Sequence, residues 1–252
     1  MNVQTVFKRH ELKYFLTPAQ KERLQAAMEP FMEPDEYGRT TIRNIYYDTD
    51  TYRLVRRSLE KPVYKEKLRI RSYRQAGPDS TVFVELKKKY DSVVYKRRMT
   101  VPEREAMAWA AGECRDVRDT QIAREIQYFL DFYGTLRPAC FLSYEREAFR
   151  SRDGSDLRIT FDENILCRTQ DMRLTQPVWG RLVTDEDAVL MEIKTAGGLP
   201  LWLVRLLSEE RIRQSSFSKY GRAYETLIFP RLSDRGGAPH LRLLDPDQKR
   251  SA

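Results

Sequence analysis

Charged side chains recur at every second position in six stretches of the sequence that resemble β-strands. Residues two apart on a strand share a face. One face of each stretch therefore collects lysine, arginine and single carboxylates, whereas the other face carries mostly Leu, Ile, Val, Met or aromatic residues. The charged faces contain Arg9, Glu11 and Lys13; Lys67, Arg69 and Arg71; Glu85 and Lys87; Tyr144 and Arg146; Arg158 and Asp162; and Glu192 and Lys194.

The chemistry of these faces depends on whether the sheet closes. An open antiparallel sheet with one solvated face would explain any single strand. If the sheet closes, about ten cations line its interior, where they repel one another and burial penalises each of them. Such an interior is stable only when water and a polyanion fill it. Phosphate chains fit best, because Arg binds phosphate oxygens in pairs and Lys acts as a compact charge.

The few carboxylates on these faces have two alternative roles. Glu11, Glu85, Asp162 and Glu192 either pair with neighbouring arginines or hold a hard divalent cation that bridges phosphates. The residue types leave both roles open.

Composition limits the class of protein. The 252 residues include 45 Lys and Arg against 37 Asp and Glu, a formal net charge of +8 that favours anionic partners. The 41% of apolar residues is too high for a disordered chain. No run of about 18 apolar residues predicts a membrane span, and the start has no signal-peptide pattern, so we expect a cytoplasmic protein. The three cysteines are too widely spaced to suggest a metal finger or a disulfide framework.

The periodicity predicts an α+β fold with helices packed around one antiparallel sheet or barrel. Thr17 is placed as the N-cap of the first helix, with Pro18 at its first position. We expect residues 1–230 to form one domain and residues 231–252 to form a flexible C-terminal tail. The predicted strands are 6–16, 39–48, 63–75, 80–101 (a hairpin that turns near Tyr90), 139–151, 156–163 and 187–195, and the predicted helices are 18–32, 103–112, 118–133 and 200–208.

Eight segments of the chain resemble the VTC domain, the polyphosphate polymerase branch of the CYTH-like, or triphosphate tunnel, superfamily. They occur in the order of the family and extend over about residues 5–229. The segments are RHELKY (9–14), IYYDT (45–49), KLRIRSY (67–73), VELK (84–87), YEREAF (144–149), LRITFD (157–162), MEIK (191–194) and FSKY (217–220). The resemblance implies a closed eight-stranded antiparallel β-barrel, the triphosphate tunnel, with helices outside.

The resemblance also implies roles for individual residues. Glu192 would be the leading ligand of a divalent metal, Mg²⁺ or Mn²⁺, with Glu11 and Glu85 as helpers. Related triphosphatases and class IV adenylyl cyclases carry E-x-E-x-K in the first strand, whereas this chain has Arg9 at the first glutamate position, which favours the VTC branch. The residues implied to contact the triphosphate are Lys67, Arg69, Arg71, Lys87, Arg146, Arg158 and Lys219, and those implied to line the same tunnel are Lys13, Lys96 and Lys194.

The sequence thus predicts a metal-dependent phosphotransferase that makes inorganic polyphosphate from the γ-phosphate of ATP. The alternatives are a hydrolase of tripolyphosphate or nucleoside triphosphates, and a non-catalytic module that binds polyphosphate. The expected partners are ATP or another triphosphate, and polyphosphate. Nucleic acid is not expected, because basic runs such as residues 87–89 lack a cluster of stacking aromatic residues.

Overall fold

The computed structural model describes residues 10–91, 93–115 and 118–234. The first half of the chain forms β1 (His10–Leu16), α1 (Pro18–Met28), β2 (Met32–Pro34), β3 (Thr40–Asp48), α2 (Arg53–Leu59), β4 (Tyr64–Tyr73), β5 (Thr81–Tyr90), β6 (Val93–Pro102), α3 (Glu103–Ala110) and α4 (Gln121–Tyr133). The second half forms β7 (Arg137–Ser151), β8 (Arg158–Arg168), β9 (Arg181–Leu182), β10 (Val189–Thr195), α5 (Leu201–Glu209), β11 (Gln214–Ser215), α6 (Lys219–Ala223), a π-helical turn (Tyr224–Ile228) and α7 (Phe229–Asp234).

One antiparallel sheet contains all of these strands, in the order β11-β1-β10-β8-β7-β3-β4-β5-β6. The short strands β2 and β9 pair with β7 and β8 at the side of this path. The predicted α+β fold is confirmed, and the eight strands β1, β3, β4, β5, β6, β7, β8 and β10 are each seven or more residues long.

The sheet curves into a barrel-like shape, but backbone hydrogen bonds do not close it over the part of the chain that the structure describes. β1 and β5 are six strands apart, which in a flat sheet would separate them by about 29 Å. Nevertheless, Lys87 Nζ of β5 lies 3.3 Å from a carboxylate oxygen of Glu11 on β1. The segment 214–219 bridges the gap, since β11 pairs with β1 and Ser218 Oγ accepts a hydrogen bond from Lys67 Nζ of β4. The sequence predicted a closed barrel. In the structure, side-chain contacts and the segment 214–219 replace the continuous ladder of backbone hydrogen bonds that would close such a barrel.

Helices cover the apolar convex face of the sheet. The predicted N-cap Thr17 is confirmed, since its hydroxyl accepts from the backbone of Gln20 and the Gln20 side chain accepts from Thr17 N. α3 and α4 pack over β4, β5 and β6, and α1 and α5 pack over β1, β8 and β10. Each fully buried Leu, Ile or Phe at these contacts stabilises the fold by roughly 1.5–3 kcal/mol.

The concave face has an apolar part and a charged part. Tyr220 of α6 and Tyr224 of the π-helical turn form one buried cluster with Ile42 of β3 and Leu142 of β7. The helix that begins at Lys219 therefore fills part of the interior, and the charged side chains occupy the remainder. We call this second part the charged interior. It comprises Glu11, Lys13, Lys67, Arg69, Arg71, Glu85, Lys87, Lys96, Arg98, Arg146, Asp162, Glu192, Lys194 and Lys219.

The end of the described chain is helical, because α7 continues through residues 231–234. The other residues of the predicted tail, 235–252, lie outside the described part of the chain. Within the described ranges, the longest apolar stretch of any helix falls short of what crossing a bilayer requires.

Candidate functional site

Glu192 and Asp162 form the centre of one charged group, the Glu192 group. Lys219 Nζ lies 2.6 Å from an oxygen of Asp162 and 3.0 Å from an oxygen of Glu192. Arg146 binds both oxygens of Asp162, at 2.6 and 2.7 Å, and reaches Glu192 at 3.2 Å. Lys13 Nζ is 3.6 Å from Glu192. Residues from β1, β7, β8, β10 and α6, distant in sequence, thus meet at one point.

Two lysines and a second glutamate extend this group towards the β5 side of the sheet. Lys194 Nζ lies 3.6 Å from Glu192. Glu11 lies between Lys13 Nζ, at 3.2 Å, and Lys87 Nζ, at 3.3 Å. The alternation on β1 and β10 produces this meeting, because Lys13 is directly opposite Glu192 in their register.

Glu85 forms the centre of a second group, the Glu85 group, on β4, β5 and β6. Its carboxylate lies 2.7 Å from Arg69, 2.9 Å from Arg71, 2.7 Å from Lys96 and 2.7 Å from Arg98. The register explains the contacts, since Arg69 and Arg98 are the two cross-strand partners of Glu85. With only 1% of its surface exposed, Glu85 is a buried anion held by four cations.

The lysine row beside these groups places like charges opposite one another. Lys67 faces Lys87 across β4 and β5, and Lys87 faces Lys96 across β5 and β6. Like charges at directly opposed positions destabilise a sheet unless an anion lies between them. Burial and the neighbouring Lys87 and Lys13 lower the pKa of Lys67 to about 7. Burial lowers the pKa of Lys96 to about 7 despite its contact with Glu85.

The pKa shifts of the carboxylates favour their charged form, whereas those of Lys67 and Lys96 favour the neutral form. Burial alone would raise the pKa of Glu85, but Arg69, Arg71, Lys96 and Arg98 outweigh it and hold that pKa well below its usual range. Burial is likewise outweighed at Glu192, whose pKa Lys219, Lys13, Lys194 and Arg146 keep well below its usual range. Both carboxylates are therefore ionised at neutral pH.

The position of Lys219 is fixed by the elements around it. Ser218 is the N-cap of α6 and its hydroxyl accepts from Gly221 N, which starts the helix at Lys219. The next residue, Tyr220, donates from its hydroxyl to buried Asp48 at 2.9 Å. Asp48 in turn accepts from the backbone N–H groups of Leu54 and Val55 and so caps α2. This chain of contacts anchors the start of α6 against the end of β3.

The residues predicted from the sequence do not all meet. Arg158 is directly opposite Lys194 in the register of β8 and β10, but it is exposed and its guanidinium binds Asp35 at 2.8 Å. Arg9, the departure from E-x-E-x-K, lies outside the described residues. The remaining predicted contacts, Lys13, Lys67, Arg69, Arg71, Lys87, Lys96, Arg146, Lys194 and Lys219, all lie in the charged interior.

Sequence reasoning missed Arg98, Ser218 and the anchoring pair Asp48–Tyr220. Arg98 is two residues after Lys96 on β6, so the same alternation that identified Lys96 places Arg98 on the same face. Ser218 and Tyr220 flank Lys219 in the FSKY segment, but strand alternation does not predict their contacts, because both come to the site through the packing of α6.

A divalent metal has a limited donor set here. Within the described ranges, no three acidic, histidine or cysteine side chains are arranged to hold a metal by themselves. Glu11 and Glu192 converge on Lys13 and offer hard oxygen donors, which suits Mg²⁺, an ion commonly bound by one or two carboxylates together with phosphate oxygens. Glu85 fits less well as a ligand than Glu192, because its four cations all lie within 2.9 Å, whereas the four around Glu192 lie at 3.0–3.6 Å.

The lowered pKa of Lys67 predicts a pH dependence. Since this pKa falls from 10.5 to about 7, the unfavourable charge of Lys67 is fully present below about pH 7 and is relieved as pH rises towards 10.5. We therefore expect the ligand-free protein to gain stability over that range and its affinity for tripolyphosphate to fall. Lys67→Arg should flatten the affinity profile, because arginine stays charged. Calorimetric titration at about pH 6 and about pH 9 tests this expectation.

Lys88→Arg is the matched control for this experiment, since Lys88 lies on the neighbouring strand β5 but faces Glu66 on the other side of the sheet, at 3.7 Å. That variant should keep the slope of the wild-type protein. If Lys67→Arg leaves the pH dependence of the affinity unchanged, the protonation of Lys67 does not contribute to binding of the anion.

The VTC domain family matches residues 8–228 of this chain. No curated protein sequence matches it significantly. Among solved structures, a candidate adenylate cyclase from Bacillus halodurans is similar, with a TM-score of 0.52 and 15% sequence identity over 84% of this chain and 94% of that one. HpAC1 from Hippeastrum, a candidate adenylyl cyclase with a dominant triphosphatase activity, is also similar, with a TM-score of 0.52 and 16% identity over 86% of this chain and 94% of that one.

These two likenesses concern the fold, which is the curved antiparallel sheet with helices described above. The family match covers most of the chain, including every strand and helix that contributes to the two charged groups. The chain therefore belongs to the VTC domain family and has the fold of the CYTH-like triphosphate tunnel proteins.

Proposed function

We propose that the protein is a metal-dependent phosphotransferase that extends inorganic polyphosphate with the γ-phosphate of ATP. Membership of the VTC domain family supports an enzyme of the triphosphate tunnel type, acting on triphosphate or polyphosphate. The observation that carries the finer proposal is the charge of the interior, where Glu11, Glu85, Asp162 and Glu192 are outnumbered by cations. Those cations are Lys13, Lys67, Arg69, Arg71, Lys87, Lys96, Arg98, Arg146, Lys194 and Lys219.

This excess of positive charge matches a chain of phosphates better than a single anion. The cations extend from the Glu192 group through the lysine row to the Glu85 group. Buried Arg71 Nε and Thr160 Oγ1 have no hydrogen-bond partner within the described part of the chain. Buried polar atoms normally have partners, so these two atoms mark positions where a polar ligand or water is accommodated. Phosphate oxygens supply closely spaced acceptors for such donors.

Phosphoryl transfer needs mainly positioning and stabilisation of charge, with little covalent chemistry from the protein. Asp162 holds the Arg146 guanidinium through two oxygens, and Asp162 and Glu192 hold Lys219 between them. Both cations are thereby fixed in place before substrate binds. We assign to Arg146 and Lys219 the stabilisation of the transferred phosphoryl group, and to Lys67, Lys87 and Arg69 the binding of the neighbouring phosphates.

The electrostatics of the carboxylates favour transfer to phosphate over hydrolysis. A hydrolase needs a general base for water, and an effective base has a pKa near the working pH. Glu85 and Glu192 instead have a pKa well below the usual range, because burial is outweighed by four cations each, and Glu11 is held low by Lys87 and Lys13. Such carboxylates accept protons poorly. A phosphate acceptor is already anionic and needs no base.

A divalent cation completes the proposed site. Triphosphate tunnel enzymes generally use divalent metals, and Glu192 with Glu11 would hold Mg²⁺ or Mn²⁺ together with phosphate oxygens. When bound, the metal would neutralise charge on those oxygens. Lys13, which contacts both glutamates, would keep the two carboxylates close to each other.

The test is incubation of the protein with ATP and Mn²⁺, followed by a gel that resolves phosphate polymers. We expect a ladder of polymers. Free phosphate as the sole product would contradict the proposal and assign a triphosphatase. Tight binding of triphosphate without any product would contradict it and assign a binding module.

A further inference from the structure

A cavity of about 900 Å³ lies beside the charged interior and is not used by the proposed chemistry. Its walls come from the start of α1, from the end of α2 and the start of β4, from the turn at residues 183–188 and from residues 216–225. This volume lies within the range of cavities that bind small molecules in proteins. Lys67 of the charged interior also lines the cavity, as does Ser218, which accepts a hydrogen bond from it.

Three consecutive residues separate the cavity from the interior. The carbonyl of Phe217 accepts a hydrogen bond from Lys13 Nζ at 2.9 Å. Ser218 Oγ accepts from Lys67 Nζ at 2.8 Å, and Lys219 Nζ contacts Glu192 at 3.0 Å. Lys67 lines the cavity and belongs to the charged interior, so a ligand in the cavity lies beside a cation of the interior.

The charge of the cavity differs from that of the interior. Four carboxylates line it, from Asp185, Glu186, Asp187 and Glu225, and they balance four cations, Lys61, Lys65, Lys67 and Arg222. The carboxylates would repel a polyphosphate chain. They suit a neutral group that carries hydrogen-bond donors, such as hydroxyls or an amino group, because ionised carboxylates only accept hydrogen bonds.

Aromatic rings offer a second recognition element. Phe15 and Phe217 both line the cavity and pack edge to face, with ring centroids 4.9 Å apart. Flat heterocyclic bases bind on such rings by stacking, with little dependence on which base is present. A neutral ligand with hydroxyls, an amino group and a flat ring, attached to a chain of phosphates, is a nucleoside triphosphate.

We infer that this cavity binds the nucleoside of the donor, while its triphosphate passes Lys67 into the charged interior. The inference rests on the proposed function, in which the donor is a nucleoside triphosphate. It assigns the carboxylates of residues 185–187 to the hydroxyls and amino group of the nucleoside and the two phenylalanine rings to its base. It also gives the donor a direction, with its γ-phosphate furthest from the cavity.

The test compares ATP with tripolyphosphate, which has the phosphates and no nucleoside. Ala188→Trp fills the cavity, and Asp187→Asn removes one acceptor charge with little change in size. In both variants we expect the affinity for ATP to fall about tenfold and the affinity for tripolyphosphate to stay that of the wild-type protein. Ala27→Trp, at an exposed alanine of α1 away from the cavity, should change neither affinity.

Two results would overturn the inference. One is an unchanged affinity for ATP in both variants. The other is an equal loss for ATP and tripolyphosphate, which would mean that the cavity acts through the phosphate site. If Ala188→Trp does not fold, Asp187→Asn decides alone. The gel assay for polymer is separate, so a protein that shows the expected binding differences but makes no polymer contradicts the proposed function and leaves this inference supported.

Discussion

Glu192→Gln is expected to reduce metal-dependent formation of polymer from ATP by about 100- to 1,000-fold, the usual cost of removing one preorganised electrostatic group from an active site. The substitution preserves shape and removes the charge that binds Lys219 at 3.0 Å and Arg146 at 3.2 Å. It also removes the leading oxygen donor of the proposed metal site. Initial rates over a series of Mn²⁺ concentrations measure the effect.

Glu163→Gln is the matched control for this prediction. Glu163 follows Asp162 on the same strand but faces the other side of the sheet, where it binds Lys21 at 3.1 Å and Arg39 at 3.1 Å. Loss of these two ion pairs should leave the rate close to that of the wild-type protein. Full activity of Glu192→Gln would show that Glu192 neither binds the metal nor positions Lys219.

Glu85→Gln is expected to destabilise the ligand-free protein by about 3–5 kcal/mol, the usual cost of leaving buried charges without their partner. Arg69, Arg71, Lys96 and Arg98 all contact this carboxylate, and its loss leaves four cations facing one another. For a chain of this length, such a change lowers Tm by about 10 °C. Thermal unfolding with and without tripolyphosphate measures it.

Tripolyphosphate distinguishes the two roles considered for Glu85. If Glu85 balances the cations that hold phosphate, the anion replaces the lost charge and raises Tm more in the variant than in the wild-type protein. If Glu85 were a metal ligand, the variant would lose its response to Mn²⁺ and keep its stability. Equal Tm values for the variant and the wild-type protein without ligand would contradict the balancing role.

Strand periodicity alone predicted which charged side chains of a strand share one face of the sheet. The spacing of Lys67, Arg69 and Arg71 fixes a common face, and the apolar residues between them fix which face packs under helices. Arg158 shows the limit of this reasoning. It has the right parity on β8, yet it lies at the start of that strand, where it is exposed and contacts Asp35 instead of the charged groups. Odd or even position in a strand predicts the face on which a side chain lies, whereas position along the strand decides how deeply that side chain is buried.

The charged interior shows what else the sequence could not decide. Alternation predicts that cations line the inside of a closed sheet, and this holds for one part of the concave face. The other part is apolar and is filled by Tyr220 and Tyr224, because the helix after Ser218 turns into the sheet. Whether a helix packs outside or inside a curved sheet depends on long-range contacts such as Tyr220 to Asp48, 172 residues apart in sequence.

The sequence by itself determined the antiparallel strands and the face on which their charges lie, since these follow from a two-residue period. It also predicted a preference of that face for phosphate, from the chemistry of lysine and arginine. The tertiary structure decided which charges meet. Four cations contact Glu85 within 2.9 Å, so it is a partner of arginine, whereas the cations around Glu192 lie at 3.0–3.6 Å. Glu192 and Glu11 converge on Lys13 and remain candidates for a metal. The reason is physical, because the role of a carboxylate depends on how closely cations surround it, and strands distant in the sequence supply those cations.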